Sequence, residues 1–167
     1  MSLLEIAQAV EASPLGTALR ESRYGFPSLI IVHLSGLLLT VGTVSLWDLR
    51  LLGISLRTIP VSRVGKALLP WTWTGFGVMA LSGAALVSIE AGRLYPNTAF
   101  RVKLVLLILA GINMLAFHLT IYRSVRRWDH DVVTPARARI AGAISLAVWL
   151  ALLTAGRAIG YTIDYGI

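Results

Sequence analysis

The chain has 167 residues, of which 56% are hydrophobic and 14% charged, with 15 Lys and Arg against 8 Asp and Glu. Soluble domains carry about 25% charge, so this composition excludes disorder and argues against a soluble globule, as does a mean hydropathy of +0.76. The net charge of +7 does not point to nucleic acid, because a basic binding face needs a solvated fold to display it. The absence of cysteine removes disulfides, thiolate metal sites and covalently attached c-type haem, and leaves open a non-covalent b-type haem or an ion held by His and oxygen ligands.

Residues 1–23 read as an interfacial amphipathic helix or helical hairpin. Leu3, Ile6, Ala7 and Val10 recur at helical spacing, Ser13-Pro14 breaks the pattern and opens a second short helix, and Leu15 and Leu19 follow. Glu5 and Glu11 interrupt what would be the apolar region of a cleavable signal, and a basic leader is missing. Beyond them lie four apolar runs, about residues 27–47, 67–89, 104–122 and 140–160. The first three contain no Asp, Glu, Lys or Arg, and the fourth only Arg157 near its end. Each has about the 20 residues that cross a hydrocarbon core of ~30 Å. The expected fold is therefore an all-α membrane protein, a four-transmembrane-helix bundle in one domain spanning residues 1–167.

Charge orients the bundle. The connections after the first and third runs hold nine basic residues (Arg50, Arg57, Arg63, Lys66, Arg123, Arg126, Arg127, Arg137 and Arg139), and six lie on the other side (Arg20, Arg23, Arg93, Arg101, Lys103 and Arg157). The positive-inside rule places both termini outside a bacterial inner membrane and the two basic connections in the cytoplasm. Small and polar residues mark inward faces in lipid. These are His33, Gly36, Thr40, Thr43 and Trp47 on the first helix, Gly77, Ala80 and Ala84 on the second, and Gly142, Ser145, Trp149, Leu152 and Gly156 on the fourth, where Gly156 and Gly160 form a GxxxG pair.

Ionisable groups in hydrocarbon are costly and point to function; here they are His33, His118 and Arg157, with Asp48 and Glu90 at helix ends. Two histidines on separate membrane helices are the axial ligands a b-type haem needs. Trp73, Phe76, Phe117 and Trp149 would line its pocket, and Arg157 or an outer-loop arginine would meet propionates or a quinone. By helix rise, however, His33 and His118 sit roughly 15 Å apart along the membrane normal. One haem ligated by both is strained. The alternatives are one histidine with Met79 or Met114, two haems, or a haem shared between protomers. The competing role for each histidine is a helix–helix hydrogen bond, from His33 to a serine or the backbone near Arg157, and from His118 to Trp73 or Asp48. Asn113 reads as glue between helices, Asp48 as an anchor salt-bridged to Arg50 or a basic connection, and His130 as a solvated loop residue. The chain lacks a Walker loop, a dinucleotide glycine motif, an HExxH motif and a nucleophile elbow.

Ser13-Pro14-Leu15 with Leu19-Arg20-Glu21-Ser22, His33 with Gly36, Asp48-Leu49-Arg50-Leu51-Leu52-Gly53, Gly111-Ile112-Asn113 leading to Phe117-His118, and Ala155-Gly156-Arg157 ending in Gly160-Tyr161 together resemble a family of small bacterial inner-membrane proteins of unknown function. The resemblance implies four helices in the inner membrane and no established activity. A fainter likeness is to CopD-type membrane proteins and to b-type cytochromes of the cytochrome b561 kind, from which the chain departs by lacking paired histidines at matched depths. The leading expectation is a b-type haem electron-transfer subunit linking the quinol pool to a periplasmic partner, with His33 and His118 as candidate metal ligands. The alternative is a cofactor-free structural or assembly subunit, partnered by other membrane helices or by a second copy. A small oligomeric transporter is a third option, for which the membrane segments offer few relay groups.

Overall fold

The computed structural model describes residues 2–164, and they form helices joined by short turns. The order is α1 (Leu3–Glu11), α2 (Pro14–Glu21), α3 (Gly25–Leu51), α4 (Val61–Leu94), α5 (Thr98–Ala116) and α6 (Ala136–Asp164). α5 continues through a π-helical turn, Phe117–Ile121, and a 3-10 turn, Tyr122–Arg127. With no water to satisfy N–H and C=O groups in lipid, an apolar run of this length closes its hydrogen bonds on itself as a helix. Four helices are long and apolar enough to span a membrane: Gly25–Leu51, Val61–Leu94, Thr98–Arg127 and Ala136–Ile163. All four run past the uncharged stretches, because once formed a helix continues through its flanking arginines until a turn stops it. α3 stops where Gly53 takes φ +70°, a left-handed conformation that glycine adopts without steric cost.

α3 packs along nearly the whole of α4, α6 lies against both α3 and α5, and α4 and α5 scarcely touch. The bundle is thus an open arc in the order α4, α3, α6, α5, with a gap between its two ends. Glycine sets the closest approach. A Cβ on Gly36 would fall 2.8 Å from the Met79 amide nitrogen, and one on Gly75 would fall 2.9 Å from the Gly36 carbonyl oxygen. The hydroxyls of Thr43 and Thr72 meet across the same pair at 2.8 Å. The inward face of α4 is therefore Gly75, Met79 and Ser82, all buried. The expected Gly77, Ala80 and Ala84 lie on the wrong face: Gly77 faces open space, and the two alanines are exposed. Small residues occur on both faces of α4, and spacing alone does not say which meets α3.

The hairpin α1–α2 is present as expected, with Ser13 capping α2 and Pro14 in its first turn. Leu3, Ile6 and Val10 remain exposed, leaving α1 with an uncovered apolar face. Its charged residues hold a break in α4, where Glu90 leaves the helical conformation (φ −139°, ψ 36°). Arg20 Nη1 donates to the Ile89 carbonyl at 3.2 Å, and the Gly92 N–H donates to Glu11 Oε2 at 2.8 Å. Arg20 and Glu11 are themselves paired at 3.5 Å. The carbonyl and amide freed by the break thus find partners in the hairpin.

At the opposite, basic end, Asp129 serves as a distant cap for α4. Ser62 N donates to Asp129 Oδ1 at 2.7 Å, and Ser62 Oγ to Oδ2 at 2.6 Å. Partial burial raises the Asp129 pKa, but the two bonds from Ser62, with His130 and Arg50 nearby, outweigh it and hold the carboxyl below its ordinary value. A carboxylate depressed on folding stabilises fully above its unfolded value, near 4, and that contribution is lost as pH falls through the lower folded value. Acid titration of melting temperature should therefore show a loss below about pH 4 that Asp129→Asn flattens, because the amide is already uncharged.

Candidate functional site

The four spanning helices enclose a cavity of about 180 Å³ in the half of the bundle nearer the basic end. α3 contributes Thr40, Trp47 and Asp48; α4 contributes Thr72, Trp73 and Phe76; α5 contributes Gly111, Met114 and His118; α6 contributes Ser145 and Trp149. α4 and α5, which scarcely touch, form two of the cavity's walls. Trp73 and Met114, 51% and 39% exposed, stand at its edges, and Gly111 leaves open space beside α5.

The deep wall carries two polar atoms without hydrogen-bond partners among the described residues, Trp47 Nε1 and Asp48 Oδ2. Both residues are buried, at 7% and 5% exposure, and both line the cavity. Buried polar atoms are paired in all but a few cases, because an unmade bond costs about 1–3 kcal/mol. An indole N–H can only donate and a carboxylate oxygen can accept, so the wall offers one of each. Ser145 on α6 lines the same cavity beside Asp48. Asp48 makes no salt bridge among the described residues; in place of the expected anchor to Arg50, its side chain lines the cavity. Residues two apart on a helix do not face each other, and Arg50 instead turns away to bond two backbone carbonyls, Ile59 O at 2.7 Å and Asp131 O at 3.1 Å.

His118 sits at the cavity edge within an aromatic cluster. Its ring centroid lies 5.7 Å from Trp47, 5.5 Å from Phe117 and 5.5 Å from Tyr122. Its Nδ1 lies 2.9 Å from the Met114 carbonyl; a carbonyl only accepts, so Nδ1 carries the proton and Nε2 the lone pair. His33 is elsewhere. Its Nδ1 lies 3.1 Å from Ser82 Oγ, whose proton goes to the Val78 carbonyl at 2.6 Å, so His33 donates across the α3–α4 contact. It does not line the cavity. Arg157 stacks on Tyr161 at 4.6 Å and donates to its hydroxyl at 2.9 Å, again away from the cavity. Of the four candidate ligand-binding residues, the structure brings His118 and Met114 together and leaves His33 and Arg157 apart. The aromatic residues Trp73, Phe76, Phe117 and Trp149 all line the cavity. Asn113 Nδ2 donates to the Ala141 carbonyl at 3.2 Å, gluing α5 to α6.

Lys103, counted with a connection in the sequence, lies inside α5 and half buried. A Cβ on Gly156 of α6 would lie 3.7 Å from its Nζ, whereas Gly160 faces open space. The GxxxG pair is thus not a packing seam within this chain. Among the described residues no group of three His, Asp or Glu side chains is placed to hold a metal ion.

Four helices long and apolar enough to span a membrane, gathered around a cavity, define an integral membrane-like helical protein. The chain belongs to a family of unknown function, DUF6644, whose model matches residues 24–162. No curated protein and no solved structure matches it.

Proposed function

We propose that this chain is an inner-membrane subunit that takes a lipid-soluble molecule with a single hydroxylated ring, of the quinol class, from the bilayer into its four-helix cavity. The observation that carries this reading is the unpaired donor and acceptor, Trp47 Nε1 and Asp48 Oδ2, on the wall of an otherwise apolar cavity. A quinol hydroxyl donates to the carboxylate, and its oxygen accepts from the indole. The size supports a single ring: an apolar cavity of about 150 Å³ admits benzene, and this one is about 180 Å³. Entry between α4 and α5 suits a molecule dissolved in lipid. The excess of basic residues at the end near the cavity supports a cytoplasmic position for that end.

A saturable change in tryptophan fluorescence on adding a short-chain benzoquinol analogue, kept reduced, in detergent tests the reading. Wild type should saturate, and Asp48→Ala should weaken binding by about tenfold, the weight of one buried hydrogen bond. Gly111→Leu, whose side chain enters open space, should keep the melting temperature and abolish saturation. Equal affinities in all three proteins would refute the proposal.

A b-type haem is the second reading. His118 favours it, since a histidine ligand commonly donates its other nitrogen to a backbone carbonyl and Met114 lines the same cavity. Because a porphyrin is larger than one ring, this reading requires the α4–α5 gap to widen. A reduced-minus-oxidised spectrum of protein from haem-replete cells decides it: a Soret change lost in His118→Ala and kept in His33→Ala supports His118 ligation, and no change removes it.

A further inference from the structure

A second groove, of about 380 Å³, runs between the end of α5 and the start of α6 at the basic end. Its walls are Thr120, Ile121 and Ser124 on one side and Arg137, Ile140 and Ile144 on the other. The hydroxyls are engaged: Thr120 donates to the Ala116 carbonyl, and Ser124 donates to Ile121 O and accepts from the Trp128 indole. That leaves the Arg137 guanidinium, exposed and without an acidic partner among the described residues. Arg137, Ile140 and Ile144 stand at i, i+3 and i+7, on one face of α6. At 1.5 Å per residue the isoleucines lie about 4.5 and 10.5 Å deeper than the arginine. From the surface inward the groove therefore presents a cation and then hydrocarbon, the order in which a phospholipid presents its phosphate and its acyl chain.

The surroundings select an anionic lipid. Arg123, Arg126, Arg127 and Arg139 share this end with Arg137, while the Asp129 carboxylate is held by Ser62. We infer that this groove binds one anionic phospholipid, with its phosphate on Arg137 and an acyl chain against Ile140 and Ile144.

The test is native mass spectrometry of the intact protein, equilibrated in mixed micelles with equal phosphatidylglycerol and phosphatidylcholine. Wild type should retain one phosphatidylglycerol in preference to phosphatidylcholine. Arg137→Gln should lower that retention about fivefold, the weight of one arginine at an anionic surface, whereas Arg126→Gln, outside the groove, should not. Ile144→Trp, which fills the groove and keeps the arginine, should also lose the lipid. Equal retention of both lipids, or equal losses in Arg137→Gln and Arg126→Gln, would overturn the inference by showing either no headgroup preference or only the general charge of that end.

Discussion

Gly75→Leu is expected to prevent α3 and α4 from pairing, so that the protein should no longer elute as a folded monodisperse species in mild detergent. The reason is backbone proximity. A Cβ on Gly75 would meet Thr40 Oγ1 at 2.7 Å and, at 2.9 Å each, the Thr40 nitrogen and the Gly36 carbonyl oxygen. Two of the three atoms are main chain and move only if the helices part. Gly75→Ala is the measurable intermediate, expected to cost about 1–3 kcal/mol from overpacking in a denaturing-detergent titration followed by circular dichroism. Gly77, two residues on, finds nothing within 4 Å, so Gly77→Leu should leave the titration unchanged. Helices in lipid associate by close contact and not by escape from water, and α3 with α4 is the most extensive contact in the bundle.

Arg50→Ala is expected to cost about 3 kcal/mol, the upper range for hydrogen bonds to charged groups. Arg50 is completely buried. From α3 it bonds Ile59 O in the connection to α4 and Asp131 O in the connection to α6, so a single side chain fastens two connections to one helix end. Removing it leaves two carbonyls to find other donors. Arg50→Lys should recover part of the loss, because an ammonium lacks the planar fork that serves two directions at once. Trypsin provides the local measurement: cleavage after Arg57 and Arg127 should accelerate in Arg50→Ala well before global unfolding.

The four spans are legible because hydrocarbon demands uncharged length, and the stretches around His33, Gly83, Ile112 and Leu150 satisfy that demand without ambiguity. Their ends are not, since nothing in the run of arginines from Arg123 to Arg127 says where hydrogen bonding stops. The aromatic lining follows from the sequence, whereas the place of Asp48 on the cavity wall is obscured by its neighbour in the chain. The clue available was the two-residue offset from Arg50, which turns the two side chains to different faces of one helix. His33 found a serine, as one of its expected roles required, but the choice of Ser82 depended on which side of α4 meets α3. Gly75 against Gly77 shows why that choice is hard: both are small, and only the approach of Gly36 separates them.

The break at Glu90 also imposes an order of events. Its partners, Glu11 and Arg20, lie 81 and 69 positions earlier in the chain than the atoms they bond. During synthesis the hairpin emerges from the ribosome first, yet its docking surface does not exist until the second span has been made. The opening residues therefore wait, exposed, while two helices enter the bilayer, and the last turns of α4 are fastened only when that early segment is recruited.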